Sequence, residues 1–71
     1  MPIHIEAHLG GTILRIETEI GARVSESDVL LILESMKMEM PVEAPVAGRV
    51  AEIRVEEGQS VAEGDVLIVL E

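Results

Sequence analysis

Apolar residues along this chain fall in short runs broken by glycine, and the same arrangement appears twice. Ile3 and Ile5 alternate with polar neighbours, Gly10-Gly11 interrupt, and Thr12 to Glu17 carry Ile13, Leu14 and Ile16 in an alternation that is only approximate. A turn at Gly21, a lone apolar contact at Val24 and polar residues to Asp28 precede the unbroken run Val29 to Leu33. Such a run, bounded by turn signals, suits a buried strand better than a helix. The second half repeats the plan through Gly48, Gly58, Val61, Gly64-Asp65 and the run Val66 to Leu70. The pattern predicts four strands in each half and eight in all. A helix over Glu17 to Leu33 fits poorly, because Ile20, Val24, Val29 and Leu30 hold no helical period. Gly21 and Gly58 would also fall inside such helices at about 1 kcal/mol each relative to alanine.

The duplication is gapless. An offset of 37 positions lays residues 1–34 on residues 38–71, with identities that include Ala7/Ala44, Gly11/Gly48, Gly21/Gly58, Asp28/Asp65, Leu30/Leu67 and Glu34/Glu71. Only Ser35, Met36 and Lys37 have no copy. Repeats govern the fold and are read before anything else. Here they imply one all-β domain over 1–71: two quasi-equivalent four-stranded layers related by a pseudo-twofold, each copy burying the same face against the other. Closure of the sheets is expected, since it removes edges that invite aggregation. In this arrangement the joint between copies is a hairpin turn with Lys37 alone at one pole and the two termini together at the other.

Composition narrows the chemistry. The 71 residues include no Cys, Phe, Tyr or Trp, so the core must be aliphatic and disulfides, thiol nucleophiles and cysteine metal sites are excluded. A chain so short lies near the lower limit at which a core holds without staples. A net charge of −9 argues against nucleic acid and anionic membrane as partners. No signal peptide and no apolar run of about 18 residues appears, and a soluble, cytoplasmic protein is expected. His4 and His8 lack a third ligand and read as surface residues. The serines lack a base and the carboxylates a fixed companion, so no intrinsic catalysis is expected and most acidic residues read as a solvated face.

Lys37 is the only lysine, and it sits at the centre of Met36-Lys37-Met38. The segment Glu34-Ser35-Met36-Lys37-Met38-Glu39, followed by Ala44-Pro45-Val46-Ala47-Gly48, resembles the biotinyl/lipoyl attachment family along the full chain. Its biotin carboxyl carrier branch, of the small free-standing kind, is the nearer match. The resemblance implies a flattened barrel-sandwich of two four-stranded antiparallel sheets with the attachment lysine in the central hairpin turn. Lys37 would then accept biotin covalently, through an amide made by a biotin protein ligase that reads Met36 and Met38. The implied partners are the biotin carboxylase and carboxyltransferase components of a biotin-dependent carboxylase, between which the carrier moves a carboxyl group. Departures from the family pattern are Ser35 in place of alanine and a first copy, Ala7-His8-Leu9-Gly10-Gly11, that lacks the proline. The alternative is a lipoyl carrier for acyl or aminomethyl transfer. That branch has an aspartate before the lysine and an alanine after it, where this chain has two methionines. Met40, aligned with Ile3 by the repeat, is expected in the core.

Overall fold

The computed structural model describes residues 1–71 and contains eight strands and no helix. They are β1 (Ile3–Glu6), β2 (Gly11–Ile16), β3 (Arg23–Val24), β4 (Val29–Ser35), β5 (Met38–Glu43), β6 (Gly48–Ile53), β7 (Ser60–Val61) and β8 (Val66–Leu70). Two four-stranded antiparallel sheets form, one in the order β1-β8-β6-β3 and the other β5-β4-β2-β7. Exchanging the two copies of the repeat converts one order into the other, so the duplication read from the sequence is also the pseudosymmetry of the fold.

The copies do not form one layer each, as the repeat suggested. Each sheet takes two strands from each copy: β1 and β3 of the first join β6 and β8 of the second. Backbone pairing explains the interleaving, since the strands of one copy satisfy their N–H and C=O groups largely on the other. Loop bonds continue the exchange. The Ser27 amide donates to the Ala44 carbonyl at 2.8 Å and the Gly64 amide to the Ala7 carbonyl at 2.9 Å, each bond crossing from one copy to the other.

Closure is not reached either. β1 and β3 end one sheet, β5 and β7 the other. β3 and β7 are two residues long, and β5 carries Pro41 between Glu39 and Glu43. Short strands, charge and proline blunt an edge without closing it.

All 14 buried residues are apolar and no polar residue is buried. Ile13, Leu30, Leu31, Leu67 and Ile68 are completely inaccessible, which bears out an aliphatic core. Leu14 is the unpaired residue of a β-bulge, since Ile13 faces Leu33 while Arg15 faces Ile32. A bulge shifts the in-out phase of a strand by one residue, which accounts for the imperfect alternation of Thr12 to Glu17. Ala51, its equivalent under the repeat, occupies the matching bulge in β6. Leu30 is skipped in the same way between Val29 and Leu31, so Leu30 and Leu31 are both buried although adjacent. Val29 departs from the expected buried run at 39% exposure. Met40 is half-buried and outside the core cluster, a correction with a simple cause: it faces Leu33 from β5, an edge strand with nothing on its far side.

Candidate functional site

β4 and β5 pair from Val29↔Glu43 to Ser35↔Met38, which leaves Met36 and Lys37 as a two-residue loop. Their φ angles are 53° and 66°, the pair of positive values that characterises a type I′ hairpin turn. That turn matches the twist of the flanking strands, but it favours Asn-Gly, because a side chain in the left-handed region meets the following carbonyl at a cost of about 1–2 kcal/mol. Neither Met36 nor Lys37 is suited to it. Substituting Met36→Asn together with Lys37→Gly is therefore expected to raise the unfolding free energy by about 1 kcal/mol. Urea denaturation against the parent chain measures it, and a loss of stability would show that the tip is not strained.

Met36 is 90% and Met38 64% exposed, and neither belongs to the core. Lys37 is exposed and takes part in none of the three ion pairs, which join Arg15 to Glu17, Arg49 to Glu71 and Arg54 to Glu52. Its ammonium group is thus uncommitted. One step down the stem, Glu34 and Glu39 face each other across the strands and are both exposed, a like-charge pairing that weakens a hairpin. The pKa of Arg15 on neighbouring β2 is raised, chiefly by its hydrogen bond to Glu17 and by the charge of that group, with smaller contributions from Glu39 and Glu57. On the other sheet the hydrogen bond from Arg54, and its charge, hold the Glu52 carboxyl below its ordinary value.

The tip is convex. The two surface grooves, about 630 and 580 Å³, lie elsewhere: one between β1 and β5 around Ile5 and Val42, the other around Ile16 and Val24. A small molecule held non-covalently needs a concave, largely apolar site, and the hairpin offers none. An exposed, uncommitted amine on a two-residue turn fits a covalently joined group instead. β1 and β5 both line the first groove. β5 begins at the hairpin. β1 begins at the paired termini, where Ile3 faces Leu70.

Two supports of the site went unread in the sequence although the repeat marked them. Gly11 begins β2 beside the stem, and a Cβ there would clash with the Glu34 carbonyl oxygen. Asp28 and Asp65, grouped with the solvated carboxylates, instead clamp turns: their Oδ2 atoms accept from the Ser25 and Ala62 amides, both at 2.8 Å. These turns contain Ser27 (φ 75°) and its equivalent Gly64 (φ 91°). The one ahead of β4 orients the strand that leads to Lys37. His4 and His8 are exposed, and no group of three ligating side chains is found.

The two four-stranded antiparallel sheets and the hairpin at their pseudosymmetric joint define a class of small all-β sandwich domains. The chain belongs to the biotin/lipoyl family described as biotin-requiring enzyme, whose signature matches residues 1–70. It is 44% identical over 41 residues to a pyruvate carboxylase of Bacillus subtilis and 40% identical over 41 residues to one of Schizosaccharomyces pombe. Each of these matches covers 58% of this chain and 4% of the carboxylase. Among solved structures, a single-chain, multi-domain long-chain acyl-CoA carboxylase superposes with a TM-score of 0.91 at 35% identity, covering 96% of this chain and 7% of its own. The urea carboxylase of Kluyveromyces lactis superposes with a TM-score of 0.94 at 28% identity, covering 100% of this chain and 6% of its own. This chain therefore corresponds to a small part of each of these proteins.

Proposed function

We propose that residues 1–71 form one biotin carrier domain, in which Lys37 accepts biotin through an amide and moves a carboxyl group between biotin carboxylase and carboxyltransferase components. The observation that carries this reading is the sole lysine, uncommitted and exposed, on a left-handed turn between exposed methionines. The carboxylases among its relatives support the same assignment.

A biotin protein ligase reads Met36 and Met38 and presents an activated acyl adenylate. The neutral Lys37 amine attacks its carbonyl carbon and AMP departs, so an amide replaces an ammonium and the chain becomes one unit more negative. Bound there, biotin supplies a ureido nitrogen able to hold carbon dioxide, a chemistry that no side chain offers. The protein contributes position. The lysine stem is long and flexible, and tethering holds its cargo near a docked partner at an effective concentration on the order of millimolar. Catalysis lies in the partner enzymes, which work with this carrier in the cytoplasm.

Incubation with biotin, ATP and a biotin protein ligase is expected to add the mass of one biotin, mapped to Lys37. Lys37→Arg is expected to keep the fold and gain nothing. Specificity between ligases is a difference of affinities, so lipoate and its ligase form the parallel arm. Faster transfer of lipoate than of biotin overturns the choice in favour of the lipoyl carrier, and unfolding of Lys37→Arg makes the lysine structural.

A further inference from the structure

The two methionines beside Lys37 are more exposed than an ordinary packing role requires. Met36 is 90% and Met38 64% accessible, whereas Met40, two residues further along β5, is half-buried. Methionine sulfur is a soft nucleophile whose oxidation follows exposure, and the product replaces a flexible apolar side chain with a polar, chiral one. Since neither tip side chain belongs to the core cluster, oxidation there leaves the packing untouched and changes only the surface that a partner meets.

We propose that Met36 and Met38 form a peroxide-sensitive modification site that controls the loading of Lys37. The proposal rests on Lys37 being the biotin acceptor. Hydrogen peroxide is the oxidant: the thioether sulfur attacks one peroxide oxygen, the O–O bond breaks, sulfoxide forms and water leaves. Sulfur is oxidised by two electrons and the peroxide reduced by two. A ligase that covers the tip would bury these thioethers, and a sulfoxide brings into that contact an oxygen that demands a hydrogen bond. The change is reversible by methionine sulfoxide reductases, which makes it a switch rather than damage.

In the test, the chain is treated with hydrogen peroxide, the peroxide is removed with catalase, and oxidised residues are located by peptide mass mapping before biotin, ATP and ligase are added. Met36 and Met38 are expected to oxidise ahead of Met40, with the far-ultraviolet circular dichroism and the urea midpoint unchanged. Loading of Lys37 is expected to slow about tenfold, the factor that 1.4 kcal/mol of lost contact represents. Treatment with the reductases and dithiothreitol is expected to restore it. Whatever its own rate, the Met36→Leu, Met38→Leu double variant is expected to load equally before and after peroxide, which isolates the tip from Met1. Three results overturn the switch: an unchanged rate after both tip methionines are oxidised, the same loss in the double variant, or oxidation of Met40 as fast as Met36. An untreated chain that takes no biotin would instead defeat the assignment of Lys37 itself, and the switch with it.

Discussion

Replacing Leu67 with alanine is expected to lower the unfolding free energy by about 2–5 kcal/mol, the range for deleting a buried leucine side chain, and Leu30→Ala is expected to match it. The two residues are equivalent under the repeat, and both are fully inaccessible. Each is also the residue skipped where its strand pairs with an edge neighbour: Val66 faces Glu6 while Ile68 faces Ile5, and Leu30 lies between paired Val29 and Leu31. A bulge at these points turns an additional leucine inward, so truncation empties space that no adjacent side chain on the strand can reach. In a domain whose whole stability is about 5–15 kcal/mol, the loss is a large fraction. Ile20→Ala, at a residue 66% exposed, is expected to change stability by less than about 0.5 kcal/mol. Urea denaturation of the three variants tests the ranking. A loss in Leu67→Ala no greater than in Ile20→Ala would mean that the bulge does not direct Leu67 into the core.

Gly11→Ala is expected to be nearly as disruptive for the opposite reason, excess volume. An added Cβ clashes with the Glu34 carbonyl oxygen and meets the Glu34 carbonyl carbon and Leu33 Cδ1, both at 3.2 Å. The obstacle is backbone, so no rotamer relieves it and β2 must draw away from β4. Overpacking of this kind costs about 1–3 kcal/mol. The equivalent Gly48 is less crowded, its nearest contact being the Glu71 carbonyl oxygen at 3.1 Å. Gly48→Ala is therefore expected to cost less, and amide exchange near Glu34 is expected to quicken in Gly11→Ala alone. An equal or greater loss in Gly48→Ala would contradict the geometry. The asymmetry lies next to the lysine hairpin, where β2 braces the stem most tightly.

By itself the sequence determined the number of strands, their places and the position of Lys37. These follow from local signals: glycine at turns, apolar runs too short for helices, and a repeat whose unmatched residues include the central turn. Val66 to Leu70 became β8 with the expected bounds, and the single contact foreseen at Val24 became β3. What tertiary structure decided depends on which strand lies beside which. The bulges at Leu14 and Leu30 exist only against the register of β4 and β5, so alternation could not reveal them. Likewise, Gly11 is required by a carbonyl 23 positions away in the chain, and Asp28 and Asp65 differ from the solvated carboxylates only because the chain turns back on each of them. Interleaving of the copies and the open edges have the same origin. A strand's pattern specifies which face it buries, whereas its hydrogen-bonding edges are alike along the backbone and take their partners from the assembled sandwich.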